Sequence, residues 1–355
     1  MKKRPGFKAM VINSEDDSGA GEVMKSSLSV TAGGSLQVRD FHLNKLGMCS
    51  GITLDDLTMD KELGRGASSV VYMATHKTTG TKVACKMLTN VHDKELRKQL
   101  VAEMQFLKPL LRENPCPFLI QVFDAYFDDD KTYIVLEFCD NGALDVCLAK
   151  HGPVPEPALS VITRMVFLGL SYLYRQSIVH RDMKPANCLI DAQGVCKISD
   201  FGSSKKLGDE GLKSPGVGES DFAETFTGTT RYMSPERLKG ERYSWPADVW
   251  CAGMIMLELA FGDHPYKVYF GEEDGSFMAM LDYATKRETP QLPADKYSEA
   301  AIDFANLCLA KDAASRPPPV KMVNEEDPEC SHNFIVNHMA LGNEQVLQWL
   351  ATPPK

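Results

Sequence analysis

Four side chains between residues 180 and 202 have types and spacing that suit the handling of a charged phosphoryl group. Asp182 can accept a proton from a hydroxyl group, and Lys184 can neutralise a migrating phosphate. Asn187 and Asp200 supply oxygen ligands of the kind that Mg²⁺ prefers. In phosphoryl transfer the protein mainly positions the reacting groups and compensates their charge. These four residues, in this order, therefore predict phosphoryl transfer. Any single Asp or Asn here is also explained as a residue that caps a loop.

A turn with two glycines and a lysine that closes the next apolar run form a second candidate phosphate site. Gly64 and Gly66, within residues 63–71 (LGRGASSVV), would let backbone N–H groups approach phosphate oxygens, although a hairpin turn also explains them. Glu103 lies on the apolar face of a predicted helix, where a carboxylate needs a partner, and Lys86 is the natural candidate. The alternatives are a lysine that snorkels to solvent and a glutamate at the rim of its helix face.

The elements that must position these residues change character along the chain. Residues 13 to about 50 are rich in Ser, Gly, Asp and Glu and predict a flexible leader. Strand-like runs and one helix follow, at residues 69–74, 81–88, 94–111 (the helix) and 133–138. Helical spacing then dominates, at residues 158–174, 246–261 and 300–310. A strand-rich first third and a helix-rich remainder predict an α+β chain with two lobes.

Composition excludes several function classes. The net charge of −9 argues against a general nucleic-acid binder, which needs a surplus of Lys and Arg. No apolar run approaches the roughly 20 residues that span a bilayer, and Lys2 stands where a myristoylation signal requires glycine. The ten cysteines form no CxxC pair, so we expect reduced thiols in the cytosol or nucleus, and of the two we predict a cytoplasmic location.

Residues 58 to about 350 resemble the protein kinase family nearly end to end. The glycine turn, VACK, the helix glutamate, HRDMKPAN, DFG and SPE occur in the order that the family has. The resemblance implies a bilobal protein kinase fold, with a small strand-rich N-lobe over residues 54–139 and a larger helical C-lobe over residues 140–350. Residues 1–53 are the leader. The cofactors that it implies are ATP, bound between the lobes, and Mg²⁺.

The resemblance also implies roles for individual residues. Four are catalytic, namely Asp182, Lys184, Lys86 and Glu103, and two bind Mg²⁺, namely Asn187 and Asp200. The residues implied to contact ATP are Leu63, Gly64, Arg65, Gly66, Ala67, Ser68, Ser69, Val70, Val71, Ala84, Lys86, Glu137, Cys139 and Leu189. Ser69 replaces the third glycine of the usual turn, but every catalytic position is filled, which argues against a pseudokinase.

Three further matches with the family concern structure near the site. Leu136 occupies the gatekeeper position, beside the hinge at residues 137–139. Glu236 and Arg316 correspond to the buried ion pair of the family. Asp248 corresponds to the helix residue that supports the catalytic loop.

Other segments resemble the MAP kinase kinase subfamily, namely residues 227–238 (TGTTRYMSPERL), 277–293 (FMAMLDYATKRETPQLP) and 305–316 (ANLCLAKDAASR). This resemblance implies dual-specificity phosphorylation of Thr and Tyr in the activation loop of a MAP kinase. The N-terminus agrees, because a basic cluster followed by spaced apolar residues resembles the docking peptide of the subfamily: Lys2, Lys3, Arg4, Met10 and Ile12. Without the kinase resemblance an unremarkable basic tail explains these residues equally well, and with it docking is favoured. The implied partners are a MAP kinase substrate and an upstream MAP kinase kinase kinase.

The segment before residue 228 predicts the sites of regulation. Arg181 beside Asp182 accompanies control by activation-loop phosphorylation in the family, because a phosphate orders a loop through arginine contacts. Aligned backward from Gly228, Thr225 is the main expected site, Ser220 the second, and Thr227 a further one.

Two other functions stay open on the sequence. A Ser/Thr kinase of another cascade tier would share the catalytic residues, but the docking peptide and MSPERL count against it. A non-catalytic scaffold with a kinase fold would not need Lys86, Asp182, Asn187 and Asp200 all to be present.

Overall fold

The computed structural model describes residues 28–30, 35–38, 52, 54–66, 69–88, 116–128, 131–207, 212–213, 229–271 and 276–353. The chain divides into two compact units. The N-terminal unit is Met1–Pro115 with Gln121–Phe138, and the C-terminal unit is Cys116–Ile120 with Cys139–Lys355. The chain passes from one unit to the other after Phe138, one residue before the lobe boundary that the sequence predicts.

The N-terminal unit is built on an antiparallel sheet whose strands are β1 (Leu28–Val30), β2 (Ser35–Val38), β3 (Leu57–Arg65), β4 (Ser69–His76), β5 (Lys82–Leu88), β6 (Val122–Asp128) and β7 (Lys131–Glu137). The strand order is β1-β2-β6-β7-β5-β4-β3. Strands β4, β5 and β7 carry the β-branched and aromatic residues that suit a pleated, half-buried surface.

The two faces of this sheet have different contents, because side chains alternate along each strand. One face carries a buried cluster of apolar residues, namely Ile52, Leu57, Ala74, Val83, Cys85, Phe123, Tyr133 and Val135. On the other face, Val71 lies opposite Lys86, and Ala84 lies opposite Leu136. Four residues for which the sequence implies roles at the ATP site therefore share one face of the sheet.

The C-terminal unit contains the helices α1 (Leu144–His151), α2 (Glu156–Arg175), α3 (Pro235–Leu238), α4 (Pro246–Phe261), α5 (Pro265–Phe270), α6 (Phe277–Thr285), α7 (Glu299–Cys308), α8 (Pro319–Met322), α9 (Asn333–Val336) and α10 (Glu344–Leu350). Short antiparallel strands lie between them, namely β8 (Gly142–Ala143), β9 (Ile178–Val179), β10 (Cys188–Ile190), β11 (Cys196–Ile198), β12 (Lys205–Lys206), β13 (Leu212–Lys213) and β14 (Arg242–Tyr243). The pairs are β8 with β10, β10 with β11, β9 with β12, and β13 with β14.

Helices α2 and α4 form the centre of the C-terminal unit and pack against each other. Helix α4 is buried along almost its whole length and ends at Gly262, whose φ of 82° favours glycine. Helix α2 is the one helix in the described part of the chain with the length and hydropathy to cross a bilayer. Its most apolar stretch is 72% buried inside the unit, which is the environment of a core helix.

In the described regions, each strand and helix that the sequence predicts lies within two residues of an observed element, and the other elements are not predicted. The predicted helices at 158–174, 246–261 and 300–310 are α2, α4 and α7. The helix predicted at 94–111 lies outside the described residues. Strands β1 and β2 lie inside the predicted flexible leader, which is a difference from the sequence prediction. These stretches (LSV and SLQV) are too short for their apolar residues to offset the polar composition around them.

A buried ion pair joins α3 to the chain before α8, as the sequence implies. Arg316 donates to both carboxylate oxygens of Glu236, over 2.8 and 3.0 Å. Its guanidinium also donates to the carbonyl oxygen of Pro246 and lies 5.0 Å from the centroid of the Trp250 ring. A buried charge is tolerated when it is paired and hydrogen-bonded in this way.

A second polar contact, which is half-buried, joins α4 to the segment before α3. The hydroxyl of Tyr232 donates to Oε2 of Glu258 over 2.6 Å. Burial raises the pKa of the Glu258 carboxyl to about 7, although the hydrogen bond from Tyr232 acts in the opposite direction. The ring of His264 packs edge-on against Tyr232, and burial lowers the pKa of this imidazole to about 4.

We expect Glu258→Gln to change how stability depends on pH. With a folded pKa of about 7, Glu258 keeps its proton while the unfolded chain loses it near its ordinary value of 4.5, so this group lowers stability as pH rises from 4.5 to 7. The free energy of unfolding of the variant, relative to the wild type, should therefore increase by up to about 3 kcal/mol between pH of about 5 and about 8. Urea denaturation at both pH values measures this difference. The titration of His264 contributes equally to the stability of both proteins, so it cancels from the difference between them.

Glu288→Gln provides the control, because Glu288 is exposed on the surface of the same unit. Its substitution removes one carboxylate without changing a buried contact, so stability relative to the wild type should differ little between the two pH values. A Glu258→Gln curve that runs parallel to the wild-type curve across this range would contradict the raised pKa.

Candidate active site

Three of the predicted catalytic and metal-binding side chains meet in the loop between β9 and β10. Nζ of Lys184 donates to Oδ2 of Asp182 over 3.0 Å. Nδ2 of Asn187 donates to the same oxygen over 2.9 Å and to the main-chain carbonyl oxygen of Asp182 over 2.7 Å. One carboxylate oxygen of Asp182 is therefore held by two side chains.

The second carboxylate oxygen of Asp182 is different. Oδ1 is buried and has no hydrogen-bond partner among the described residues. A buried acceptor without a partner lowers the stability of the folded protein, so such groups are uncommon and often have a functional role. The hydrogen bonds to Oδ2 fix the orientation of the carboxylate. Oδ1 is therefore available to accept the proton of a hydroxyl group, as a general base does.

Asp200 follows a strand that is bonded to this loop. The backbone N–H and the hydroxyl of Ser199 both donate to the carbonyl oxygen of Asn187, over 2.8 and 3.0 Å. Asp200 is exposed and adopts a left-handed conformation, with φ of 61° and ψ of 72°, that is uncommon for a residue with a side chain. Its Oδ1 lies only 3.3 Å from where a Cβ on Gly202 would be. Glycine at 202 thus leaves room for this carboxylate.

The side chain of His180 connects the loop to Ser199, the residue before Asp200. A carbonyl oxygen can only accept, so the contact of 2.9 Å between Nε2 of His180 and the oxygen of Ser199 places the proton on Nε2. Nδ1 then accepts from the N–H of Asp182 over 3.3 Å. The buried ring also packs edge-on against Phe201, with 5.3 Å between the centroids.

Asp248, at the start of α4, holds the backbone of the loop. Its carboxylate accepts from the N–H of His180 over 2.7 Å and from the N–H of Arg181 over 2.9 Å. The structure therefore contains the support that the sequence implies for this residue. Complete burial raises the pKa of Asp248, and the positive charges and N–H groups around it act in the opposite direction.

Two residues near the loop were not singled out from the sequence. Arg237 donates to the carbonyl oxygen of Arg181. The hydroxyl of Tyr243 accepts a hydrogen bond from Nε of Arg181. Both belong to the segment between SPE and α4, where an arginine and a tyrosine have no spacing that signals catalysis. The feature that marks them as functional candidates is that a charged and a polar side chain are buried, and only the structure shows this burial.

The predicted hinge and the apolar wall are split between the two units. Glu137 ends β7, and its N–H donates to the carbonyl oxygen of Gln121 over 2.9 Å. In the C-terminal unit Cys139 is buried, and Leu189 is half-buried on β10 opposite Ala143. The structure thus places Glu137 and Leu189 in strands and Cys139 in the segment between β7 and β8.

The predicted glycine turn joins β3 to β4. The N–H of Gly66 donates to the carbonyl oxygen of Ser69 over 2.8 Å, and a Cβ at Gly64 would meet no atom within 4 Å. Leu63 and Arg65 are exposed, Val70 is buried and Val71 half-buried. Ala67 and Ser68 lie outside the described residues, as does Glu103, the predicted partner of Lys86.

The donor groups of the C-terminal unit fit Mg²⁺ bound together with a phosphate. Across the described ranges no three His, Cys, Asp or Glu side chains could hold a metal ion by themselves. Magnesium usually takes one or two protein oxygens and completes its shell with water and substrate phosphates. The hydrogen bonds of Asn187 to Asp182 use the amide nitrogen, whereas a metal would take the amide oxygen.

The residues predicted for docking and regulation all lie outside the described residues. These are Lys2, Lys3, Arg4, Met10 and Ile12 at the N-terminus, and Ser220, Thr225 and Thr227 before α3.

Comparisons with known proteins identify the family. A protein kinase domain matches residues 57–326. Mitogen-activated protein kinase kinase 1c of Physcomitrium patens is 31% identical over 327 residues, which cover 84% of this chain and 91% of that protein. Mitogen-activated protein kinase kinase 2 of Arabidopsis thaliana is 34% identical over 267 residues, covering 75% and 70%. Dual specificity mitogen-activated protein kinase kinase 1 of Dictyostelium discoideum is 38% identical over 214 residues, covering 60% and 30%. The chain therefore belongs to the protein kinase family and, within it, to the MAP kinase kinases.

Proposed function

We propose that this protein transfers the γ-phosphoryl group of ATP to a threonine and a tyrosine of a MAP kinase, with Asp182 as the base. The observation that carries this proposal is the asymmetry of the Asp182 carboxylate. Lys184 and Asn187 hold Oδ2, while Oδ1 is buried without a partner in the described part of the chain. This is the arrangement expected of a group that waits for the proton of a substrate hydroxyl.

The neighbouring residues divide the remaining work. Lys184 compensates the negative charge that migrates during transfer, since its ammonium already lies within 3.0 Å of the base. Asn187 and Asp200 would hold Mg²⁺, which neutralises phosphate charge in protein kinases when it is bound. The hydrogen bonds between Ser199 and Asn187 favour a fixed distance between these two ligands.

In the N-terminal unit, the sheet face that carries Val71, Ala84 and Lys86 is the proposed ATP-binding surface. Ala84 is small and buried at the centre of β5, so it leaves room for a flat base beside the strand. Lys86 lies two residues further on the same face, where its ammonium would address phosphate oxygens. Glu103 is proposed to orient Lys86 through an ion pair.

The proposed substrate rests on the relatives, which are named MAP kinase kinases, one of them a dual specificity enzyme. The basic and apolar residues 2–12 support it as a docking segment. A flexible tether of this kind raises the effective concentration of a substrate whose local sequence is poorly recognised. The surplus of acidic residues, with a net charge of −9, supports protein partners over nucleic acid.

Regulation is proposed to act through Thr225, with Ser220 and Thr227 as further sites for an upstream MAP kinase kinase kinase. Arg181 supports this, since an arginine next to the base suits a phosphate contact. The cytoplasm is the proposed location, supported by the buried cysteines of both units, which form no disulfide among the described residues, and fractionation of cells tests it.

Asp182→Ala should reduce phosphoryl transfer by a factor on the order of 100 to 10,000 while ATP binding stays close to that of the wild type. Transfer to a MAP kinase is measured with labelled ATP, and binding with a fluorescent ATP analogue. Asp295→Asn, an exposed carboxylate in the same unit, is the control and should leave both quantities unchanged. Retained transfer in Asp182→Ala would remove its role as the base.

Incubation with a panel of MAP kinases that lack catalytic activity should place phosphate on both the threonine and the tyrosine of one activation loop. Mass spectrometry of the substrates identifies the modified residues. Deletion of residues 1–12 should weaken this reaction by about tenfold but leave phosphorylation of a generic protein substrate unchanged. Equal losses on both substrates would argue against docking, and phosphate on serine and threonine alone would favour a kinase of another tier.

Thr225→Ala should prevent activation by an upstream kinase, because the variant lacks the proposed main acceptor of activating phosphate. The measurement is transfer activity before and after incubation with that kinase, together with phosphate content by mass spectrometry. Ser220→Ala is the matched variant and should retain most of the activation. Full activation of Thr225→Ala would show that another residue is the site.

A further inference from the structure

The residue before Asp182 has an unusual backbone. Arg181 has a φ of 74°, which makes it one of three described residues other than glycine with a positive φ. A bulky residue populates this region only when the surrounding structure over-determines it. The direction of the Asp182 side chain depends on this peptide, so the contacts that hold Arg181 matter for the base.

Four hydrogen bonds hold Arg181, and they involve its N–H, its carbonyl oxygen and its side chain. Asp248 accepts from its N–H over 2.9 Å. Nη1 of Arg237 donates to its carbonyl oxygen over 2.6 Å. Nε of its side chain donates to the hydroxyl of Tyr243 over 2.7 Å. Nη1 of the side chain also donates to the carbonyl oxygen of Ser203 over 3.0 Å. Asp248 therefore contacts only the N–H of Arg181. Arg237 holds the carbonyl oxygen, and Tyr243 and Ser203 hold the side chain.

Arg237 and Tyr243 form one unit. Their planar groups lie together, with 5.1 Å from the guanidinium of Arg237 to the centroid of the Tyr243 ring, and the guanidinium of Arg181 lies 5.9 Å from the same centroid. An aromatic ring attracts cations placed near its face. Tyr243 thus bridges two positive charges that would otherwise repel each other.

Burying the polar groups of Arg237 and Tyr243 costs free energy unless hydrogen bonds or charges compensate for it. Tyr243 is 4% and Arg237 is 7% exposed, and Nε of Arg237 is buried with no hydrogen-bond partner among the described residues. Arginine is almost never fully buried unless its charge has a partner. The contact with the carbonyl oxygen of Arg181 explains why the charge is placed here.

We propose that Arg237 and Tyr243 are positioning residues for the base Asp182, because together they fix the left-handed conformation and the side chain of Arg181. The inference rests on the proposed function, in which Asp182 accepts the proton. It assigns a purpose to the arginine of MSPERL and to the tyrosine of β14, neither of which contacts the reacting groups.

Tyr243→Phe tests the proposal, because it removes the hydroxyl and keeps the ring. The full chain, activated to equal phosphate content, should show a kcat lower by about tenfold or more, with the KM for ATP within about twofold of the wild type. Hydrogen exchange of the backbone around residues 178–184 should become faster. Tyr297→Phe is the matched control, since it removes a hydroxyl that donates to the carbonyl oxygen of Ala260, at the end of α4. It should change neither quantity.

A double substitution separates positioning from general loss of stability. In an Arg181→Met background the added Tyr243→Phe should cause no further loss of kcat, because Tyr243 acts through the Arg181 side chain. An additive loss, an unchanged kcat in Tyr243→Phe alone, or an equal loss in Tyr297→Phe would each overturn the proposal. Transfer activity that survives Asp182→Ala would instead overturn the proposed function.

Arg237 provides an independent pair of variants should Tyr243→Phe fail to fold. Arg237→Lys keeps a cation that can donate to the Arg181 carbonyl oxygen, whereas Arg237→Met keeps only apolar volume. The proposal expects the lysine variant to retain at least about tenfold more kcat than the methionine variant. Equal values of kcat in the two would contradict it.

Discussion

The carboxylate of Asp248 accepts two neighbouring backbone N–H groups, those of His180 and Arg181, from the buried start of α4. The whole catalytic loop depends on this contact, because two bonds to adjacent peptides fix an orientation that one bond would leave free to rotate. Helix α4 can serve as the anchor since it is buried along almost its full length. From that fixed point the chain places Asp182, and Lys184 and Asn187 then bind one oxygen of its carboxylate.

Buried and half-buried polar contacts of the same kind recur through the C-terminal unit. Glu236 pairs with Arg316, and Tyr232 donates to Glu258. The first joins α3 to the chain before α8, and the second joins the segment before α3 to the central helix α4. Apolar packing is tolerant of small sliding movements, whereas a hydrogen bond of 2.6 to 2.8 Å is directional. These directional contacts therefore add positional accuracy to that of the close-packed apolar core.

The sequence predicts the fold and the chemical groups well, for identifiable reasons. Helices α2 and α4 have long periodic apolar patterns, and Asp182, Lys184 and Asn187 stand close together in the chain, so their meeting requires no long-range folding information. Arg237 and Tyr243 could not be predicted in the same way. Their contacts with Arg181 join positions 56 and 62 residues apart, and no local pattern signals them. The short strands β1 and β2 were also missed, because pairing with a distant strand rather than local composition decides them.

The alternation along β5 restricts how this strand can change over evolutionary time. Ala84 and Lys86 point to one face, while Val83 and Cys85 point to the apolar cluster on the other. Inserting or deleting a single residue upstream within the strand would exchange the two sets, placing an ammonium group in the core and a thiol in its former position. Descendants of this chain can therefore tolerate substitutions in β5, whereas length changes are confined to the connections at its ends.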